Sequence, residues 1–183
     1  MSETPLSVIQ FWRDEVGEAR WYVNEPALDK QIRDRFEPLW RDARDGKHND
    51  WQMTPDGTLA LLIVLDQFPR NMFRGHAASF STDAQALAVA KNAVAREIDL
   101  RVPTILRQFF YTPLMHAENL ADQDRCIALF EHRDGPDAYN LPFARQHRGL
   151  IAKFGRFPAR NAALGRTSTP EELAFLNASK TSR

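Results

Sequence analysis

Residues 59–71 read LALLIVLDQFPRN, which is seven apolar residues, a carboxylate, an amide and then Phe-Pro-Arg-Asn. The apolar run has no polar side, a pattern typical of a helix that is buried on every face. It follows Thr54, which precedes a proline and so indicates where a helix begins. Proline lacks an N–H and pushes the residue before it toward extended geometry, so the helix is expected to end at Phe68. Arg70 and Asn71 are then expected on a loop beside a central helix.

The same pattern occurs a second time near the end of the chain. Residues 154–161 read FGRFPARN, so an apolar helical run is again followed by Phe-Pro and then by arginine and asparagine. Polar side chains on loops beside buried helices usually hold a fold together or bind a ligand. We call the two stretches segment A (residues 68–74) and segment B (residues 156–161), and most of the functional information in the sequence lies in them.

Start and stop signals along the chain indicate helices almost everywhere. No window alternates apolar and polar residues between hairpin turns, so a sheet is not expected. Successive helices with short connections favour antiparallel neighbours. The sequence predicts a single all-α domain over residues 1–183, built of stacked helix hairpins, with residues 179–183 frayed. Helices are expected from Pro5, Pro26, Pro55, Ser81 or Thr82, Ile105 (as far as Tyr111, before a break at Pro113), Asn119, Leu141 and Pro170.

The composition is that of a globular protein without net charge. The 183 residues are 43% hydrophobic and 26% charged, and acidic and basic side chains balance. The first residues have no basic stretch leading into an apolar run, so no signal peptide is expected, and no apolar run is long enough for a membrane span. Cys126 is the sole cysteine, which excludes an internal disulfide and favours a reducing compartment, the cytoplasm.

The charge is unevenly distributed along the chain. No acidic residue lies between Asp137 and Glu171, whereas that stretch contains six arginine and lysine residues. Such a segment needs acidic partners elsewhere in the fold, an anionic ligand or a nucleic acid. RNA binding through residues 145–166 is one hypothesis, but nucleic acid is an unlikely partner because the net charge is zero.

Three separated blocks of sequence carry a family resemblance. They are LDQFPRN at residues 65–71, FFYTPLMHAE at residues 109–118, and GRFPARN at residues 155–161, the last followed by LGR. Together they resemble a bacterial family known as domain of unknown function 924. The resemblance covers almost the whole chain and implies an all-helical fold similar to right-handed tetratricopeptide-repeat arrays. It implies no established activity.

Asp66 is expected to be buried, because it shares a face of the predicted central helix with apolar residues. A buried carboxylate without a partner is very costly, so we expect an arginine beside it. The first interpretation is a structural ion pair with Arg70, Arg74 or Arg160. The second is that Asp66 and Gln67 aim the arginines at a ligand.

The arginines and asparagines of segments A and B form the predicted ligand site. Guanidinium groups bind carboxylate and phosphate through paired hydrogen bonds, and the two segments are predicted to lie beside each other around such an anion. The alternatives are a structural arginine network or a solvated basic surface. The candidate ligand-binding residues are Asp66, Gln67, Arg70, Asn71, Arg74, Glu118, Arg156, Arg160 and Asn161.

Two histidines and a tyrosine are the candidates for acid–base chemistry, namely His116, His147 and Tyr111. His147 falls on an apolar helical stripe with Phe143, so a buried structural role is the alternative. The His-x-Glu at residues 116–118 lacks the partner cysteines or histidines of a metal site, and no metal is predicted. Glycine-rich phosphate loops are missing, and no cofactor is predicted.

These observations support three hypotheses for function. The first is a binding module whose arginine-lined pocket or groove takes an anionic small molecule, or an acidic or peptide group of a protein partner. The alternative is a small-molecule enzyme that uses the histidine and tyrosine candidates beside the arginines. The third and weakest is RNA binding through the basic stretch. The oligomeric state is left open.

Overall fold

The protein is all-helical, as predicted. The computed structural model describes residues 3–181, with side chains through residue 178, and no β-strand occurs in that range. None of its described helices is long and apolar enough to cross a bilayer. The α-helices of this range are α1 (Pro5–Gln10), α2 (Pro26–Arg44), α3 (Pro55–Leu62), α4 (Phe68–Met72), α5 (Asp83–Ala95), α6 (Thr104–Met115), α7 (Leu120–Leu129), α8 (Leu141–Phe154) and α9 (Pro170–Thr181). The π-helical segments Phe11–Val16, Ile63–Gln67 and Phe130–Asp134 extend α1, α3 and α7.

Contacts divide the chain into two compact units. The N-terminal unit holds the chain up to Arg74 together with Ala78–Leu114, and the C-terminal unit holds Gly75–Ala77 and the chain from Met115 onward. The single domain stays a prediction, and so does the fraying of residues 179–183. Helix α9 continues to Thr181, while residues 182 and 183 lie outside the described residues.

Helix α3 and its extension lie at the centre of the N-terminal unit, as their apolar sequence predicts. Residues 59–65 are each no more than 1% exposed. Phe36 of α2 and Phe68 of α4 pack with ring centroids 4.6 Å apart, and the ring of Phe11 lies 4.8 Å from that of Phe36. Burial of each such side chain contributes about 1.5–3 kcal/mol, so this cluster stabilises the unit.

The predicted break at Phe68 is wrong, because the chain stays helical through Pro69. Ile63–Gln67 forms a π-helical turn, and Phe68 has helical torsion angles, φ −58° and ψ −43°, at the start of α4. Pro69 lies in the first turn of α4, where a missing N–H costs little. The carbonyl four residues earlier, that of Leu65, accepts a hydrogen bond from the Thr82 hydroxyl at 2.6 Å. A tertiary contact thus supplies the donor that proline lacks.

Helix α6 also continues past Pro113, where the sequence predicts a break. It runs on to Met115. The side chains around the proline are fully buried, with Phe109, Phe110 and Leu114 each 0% exposed. A proline inside a helix costs about 3 kcal/mol, and burial of several large side chains outweighs that cost.

Helices α7 and α8 pack against each other in the C-terminal unit. Helix α8 buries Leu141, Ala144 and Ile151. Phe143, expected on the buried face of this helix, is instead 44% exposed. The buried stripe is centred about 100° around the helix from Phe143, so the face that carries Phe143 and His147 lies beside the interior rather than in it.

Segment B breaks the helix as predicted. Gly155 ends α8 with φ 68°, Phe157 is extended (φ −88°, ψ 107°), and Pro158–Arg160 forms a 3-10 turn. A capping box is present at Thr169, just before α9. The Thr169 N–H donates to the Glu172 carboxylate at 2.8 Å, and the Glu172 N–H donates to the Thr169 hydroxyl at 3.2 Å. The 3-10 turn and the capping box together shape the chain between α8 and α9, where the polar residues of segment B lie.

Candidate functional site

The carboxylate of Asp66 is completely buried and has an arginine partner, as expected from its position. Asp66 is 0% exposed, and its Oδ1 lies 3.2 Å from Arg70 Nη1. Its Oδ2 accepts a 2.6 Å hydrogen bond from the Gln67 amide, which also donates to Thr112. Asp66 and Gln67 both belong to the π-helical turn before α4, so this turn contributes two buried polar residues to one network.

The other donors of segment A also contact carboxylates. Arg70 Nη2 lies 3.0 Å from an oxygen of Asp83. Arg74 donates two hydrogen bonds of 2.8 Å to Asp29, and the Asn71 amide donates another of 2.8 Å. Burial opposes ionisation of Asp29, but Arg74 and Asn71 outweigh it and hold the pKa of Asp29 below its ordinary value. Segment A is thus an ion-paired network that joins α2, α4 and α5.

Tyr111 is fully buried in the N-terminal unit. It is 0% exposed, and its hydroxyl donates a 2.7 Å hydrogen bond to the carboxylate of Asp99, which is also 0% exposed. Because this pair joins α6 to the 3-10 turn Ile98–Arg101, the geometry favours a structural role for the phenol.

In the C-terminal unit, Glu118 holds segment B in place. Its carboxylate accepts two hydrogen bonds from Arg166, at 2.6 and 3.0 Å, and one from the Phe157 N–H at 2.8 Å. Burial opposes ionisation of Glu118, yet Arg166 and the Phe157 N–H outweigh it, so the pKa of Glu118 lies below its ordinary value. The carboxylate therefore binds both an arginine and the extended backbone of segment B.

Arg156 forms a second ion pair in this unit. It donates to both carboxylate oxygens of Glu172, at 2.7 and 2.9 Å. Hydrogen bonds from Arg156 and then from the Thr169 N–H lower the pKa of Glu172 to about 2. The Asn161 amide donates to the same carboxylate at 3.1 Å, and its Oδ1 accepts from Arg166 at 3.0 Å. Asn161 thus links the two ion pairs.

The two candidate histidines lie beside each other, and Arg160 contacts the backbone of one of them. The ring centroids of His116 and His147 are 6.5 Å apart, and the His147 ring lies 5.3 Å from that of Phe157. The Arg160 guanidinium lies 4.6 Å from the centre of the Phe157 ring and donates to the His116 carbonyl oxygen at 2.9 Å. We call these four residues the histidine cluster. Phe157 is buried, and the other three are partly exposed.

The His147 ring is oriented by its own helix. Its Nδ1 lies 2.8 Å from the carbonyl oxygen of Phe143, one turn earlier in α8. A carbonyl oxygen can only accept a hydrogen bond, so this contact requires a proton on Nδ1. Nε2 is then the atom that gains or loses a proton when His147 changes charge. Partial exposure distinguishes His147 from the buried structural histidine that was its alternative interpretation.

The ion-paired network around segment B includes the guanidinium groups of Arg156, Arg160 and Arg166 and the carboxylates of Glu118 and Glu172. Protonation of either histidine adds a positive charge beside this network.

Outside segment B, the basic stretch of residues 145–166 is neutralised by acidic residues that lie outside it in sequence. The pairs are Arg145–Glu131 at 2.7 Å, Arg148–Asp124 at 2.9 Å and Lys153–Glu171 at 3.2 Å. Basic side chains that are paired with carboxylates offer no continuous basic stripe to a phosphate backbone. This pairing weighs against the RNA-binding hypothesis.

The predicted site residues fall into two groups. Those in the N-terminal unit are Asp66, Gln67, Arg70, Asn71, Arg74 and Tyr111, and those in the C-terminal unit are His116, Glu118, His147, Arg156, Arg160 and Asn161. Each group forms contacts within its own unit. The adjacency of segments A and B stays a prediction.

Sequence reasoning did not place Arg166, Glu172 or Phe157 among the site residues. Two of them had a usable signal, because Glu172 is the acidic residue of a capping box and Arg166 closes the third family block. What could not be read from the sequence is that both side chains turn toward segment B, since that depends on where α9 packs.

The described residues show no metal site, and the cysteine is buried. Among them, no group of three or more His, Cys, Asp or Glu side chains is arranged to hold a metal ion. Cys126 is buried in α7, and burial raises the pKa of its thiol to about 12. The thiolate that a nucleophile or metal ligand needs is therefore scarce near neutral pH.

Fold and site together define an all-helical protein whose polar residues are organised around buried and half-buried ion pairs. The chain belongs to the family described as bacterial protein of unknown function (DUF924), whose family model matches residues 8–180. It is similar to the solved structure of the protein of unknown function ATU0120 from Agrobacterium tumefaciens. The identity is 38% and the TM-score is 0.87, with 94% of this chain and 96% of that chain covered. No curated protein matches the chain.

Proposed function

We propose that this protein is a binding module for an anionic group, a carboxylate or a phosphate, at the histidine cluster of its C-terminal unit. The observation that carries the proposal is the position of the Arg160 guanidinium beside the Phe157 ring and the His116 carbonyl, next to two partly exposed histidines. Charge of one sign gathered beside a low-dielectric surface attracts ligands of the opposite sign.

The histidine cluster has the groups that such a ligand needs. Arg160 supplies a guanidinium beside the buried ring of Phe157, and the weak competition from water beside an apolar ring strengthens a charged contact. His147 can add a second donor, because its Nε2 carries a proton when the ring is charged. Both an anionic small molecule and an acidic group of a protein partner satisfy this chemistry.

Segment A is a weaker candidate for the same role. Arg70 contacts Asp66 and Asp83, and Arg74 donates twice to Asp29. An anion would have to displace a carboxylate that the fold already holds in place. We assign the segment A arginines to structure for this reason.

Calorimetric titration with inorganic phosphate and with acetate tests the proposal. We expect at least one of them to bind with a Kd on the order of 1 mM, the range of a few charged contacts. Arg160→Gln should weaken that binding about tenfold or more, because it removes the charge. Glutamine keeps an amide N–H donor at this position, but it is shorter than arginine and carries no charge.

Arg145→Gln is the matched control. Arg145 is an arginine of the same unit, its side chain is 59% exposed, and it pairs with Glu131. The control variant should bind like the parent protein. An equal loss in both variants would show a general charge effect, and an absence of binding to the parent would contradict the proposal.

The orientation of His147 favours a second function, that of an enzyme using acid–base catalysis. A histidine whose Nδ1–H is held by a carbonyl presents a defined Nε2 for proton transfer. Hydrolysis of 4-nitrophenyl phosphate and 4-nitrophenyl acetate by the parent protein, with loss of turnover in His147→Gln and retention in Arg145→Gln, would support it. Equal rates in the parent protein and His147→Gln would exclude His147 from such a role.

We also propose that the helices stack in a right-handed, tetratricopeptide-like array and that the protein works in the cytoplasm. The family resemblance and the succession of helices with short connections support the first point. The single buried cysteine supports the second point, because a chain with one cysteine cannot form the internal disulfide that an oxidising compartment would favour. Fractionation of bacterial cells that produce the protein tests the location.

A further inference from the structure

Four large apolar side chains are exposed around the start of α6, in the N-terminal unit. Tyr22 and Val23 precede α2, Leu100 lies in the turn before α6, and Ile105 lies in the first turn of that helix. Each of the four is between 42% and 49% exposed. A single exposed apolar residue is ordinary, whereas several in one region mark a surface that another molecule covers. We call these four residues the apolar surface.

Contacts with α6 place Tyr22 and Ile105 on the same side of the helix. The Trp21 ring lies 4.9 Å from that of Phe109, and the Tyr22 hydroxyl donates a hydrogen bond to Gln108 at 2.5 Å. The Gln108 amide donates in turn to the Ile105 carbonyl oxygen at 2.7 Å. Residues three and four positions apart share one face of a helix. The chain before α2 therefore lies along the face of α6 that carries Ile105.

The turn that carries Leu100 is held against the same helix. This 3-10 turn, Ile98–Arg101, contains the buried Asp99. The Asp99 carbonyl oxygen accepts a hydrogen bond from Arg107 at 3.2 Å, and its carboxylate accepts one from Tyr111 at 2.7 Å. Leu100 is thus exposed on a turn whose backbone is fixed by buried contacts.

Charged side chains of both signs flank Leu100. Arg96, Glu97 and Arg101 are all exposed, and none of their side chains forms an ion pair or a hydrogen bond with the part of the chain that the structure describes. Glu97 also has left-handed backbone torsion angles, φ 57° and ψ 27°, a geometry in which glycine is favoured. Strain of this kind is found most often at functional sites. A binding partner for the Glu97 carboxylate would account for a glutamate at this position.

We infer that the apolar surface is the contact between two copies of this protein related by a two-fold axis, with Glu97 of each copy paired to Arg101 of the other. A two-fold contact brings one surface against itself, so that surface must carry charges of both signs. The chain has no net charge that would keep two copies apart. An acidic protein partner or an anionic membrane would be repelled by Glu97, which favours a second copy. The contact uses no residue of the histidine cluster.

Sedimentation velocity over a range of protein concentrations tests the inference. We expect a monomer–dimer equilibrium with a Kd on the order of 10 µM, a value suited to a small, transient interface. Leu100→Ser combined with Ile105→Ser should weaken the dimer about tenfold or more, because the apolar centre of an interface carries most of its affinity. Leu173→Ser in α9, at a similarly exposed leucine of the C-terminal unit, is the control and should dimerise like the parent protein.

Charge reversals test the pairing of Glu97 with Arg101. Glu97→Arg alone and Arg101→Glu alone should each weaken the dimer about tenfold or more, because like charges then face each other at two places. A mixture of these two variants should recover the affinity of the parent protein, since each copy supplies the sign that the other lacks. The altered side chains are exposed, so the melting temperatures should stay close to that of the parent protein.

Arg125→Glu is the control for general charge effects. Arg125 is an exposed arginine of α7 that forms no ion pair with the described side chains. This variant alone should dimerise like the parent protein. Mixed with fluorescently labelled Glu97→Arg, it brings together the same net charges as the first mixture, but it restores only one of the two pairs. The labelled protein should therefore bind it more weakly than it binds Arg101→Glu.

Three results would overturn the inference and leave the proposed anion site untouched. The first is a parent protein that is monomeric at every concentration, and binding of that monomer to phosphatidylglycerol vesicles would assign the apolar surface to a membrane instead. The second is a dimer that is unaffected by the changes at Leu100 and Ile105, which would place the interface elsewhere. The third is a mixture of the two charge reversals that remains monomeric.

Discussion

Arg166 donates hydrogen bonds to both carboxylate oxygens of Glu118, at 2.6 and 3.0 Å, across 48 positions of sequence. The same carboxylate accepts the Phe157 N–H at 2.8 Å. Paired arginine–carboxylate bonds are stronger and more directional than neutral hydrogen bonds. The Glu118–Arg166 pair therefore connects the residues after α6 to the chain before α9 and sets the backbone of segment B between them.

Glu118→Gln should destabilise the protein by about 2 kcal/mol, because it removes the charge that holds Arg166 and weakens the contact to Phe157 N–H. Urea unfolding followed by circular dichroism measures the change. The control is Glu131→Gln, which removes one partner of the more exposed pair with Arg145 and should cost less than about 1 kcal/mol. Equal unfolding midpoints for Glu118→Gln and the parent protein would contradict this account of segment B.

Glu172 makes the stability of the protein sensitive to acid. Its pKa is lowered to about 2 from an ordinary value of 4.5. A carboxyl group whose pKa is lowered by folding stabilises the fold above its unfolded pKa, and that contribution is lost as pH falls through the folded pKa. We expect Glu172→Gln to melt below the parent protein at neutral pH and the two curves to converge between about pH 4.5 and pH 2. Thermal unfolding across that range tests this, and curves that stay parallel would refute it.

Arg70→Ala should cost about 3–5 kcal/mol, because it removes a cation that pairs with the buried carboxylate of Asp66. Adding Asp66→Asn to that variant should restore part of the loss, since it removes the uncompensated charge. The control is Arg41→Ala, at an arginine whose side chain is 62% exposed, which should cost about 0.3–0.5 kcal/mol. Denaturant unfolding compares the four proteins. Similar losses in Arg70→Ala and Arg41→Ala would show that the Asp66 pair contributes little.

Gly57 occupies a position with no room for a side chain. A Cβ there would lie 2.2 Å from the Trp51 carbonyl oxygen and 2.8 Å from the Thr54 hydroxyl. Gly57→Ala should therefore lower the free energy of unfolding by about 3 kcal/mol. Gly149→Ala in α8 is the contrasting variant, because nothing lies within 4 Å of its Cβ position. That change should stabilise the protein by about 0.5–1 kcal/mol through the helix propensity of alanine. Calorimetric melting measures both changes. A Gly57→Ala variant as stable as the parent protein would show that the start of α3 can shift to make room for the Cβ.

Local signals predicted the helices well because they act within a few residues. Thr4 and Thr54 precede the prolines at the starts of α1 and α3 and accept N-cap hydrogen bonds there, and Gly155 adopts the left-handed geometry that ends α8. The burial of Asp66 and its need for an arginine also followed from the sequence, because an unpaired buried carboxylate is too costly to persist.

Segments A and B show that local sequence signals do not determine the backbone geometry at a Phe-Pro. Both contain Phe-Pro, yet Phe68 stays helical and Phe157 is extended. The sequence by itself determined that each proline removes a donor from the chain. Tertiary structure decided the result, since the Thr82 hydroxyl satisfies the Leu65 carbonyl in segment A, whereas Glu118 binds the Phe157 N–H in segment B.

The polar site was determined in kind by the sequence and in arrangement by tertiary structure. The sequence alone shows arginines and histidines near the Phe-Pro segments. Because no acidic residue lies between Asp137 and Glu171, it also predicted that these basic residues would need acidic partners from elsewhere in the fold. Which acid meets which arginine, and which side chains share the histidine cluster, depended on how α7, α8 and α9 pack. Ion pairs form between groups a few ångströms apart in space, and only the packed chain brings residues 48 positions apart to that distance.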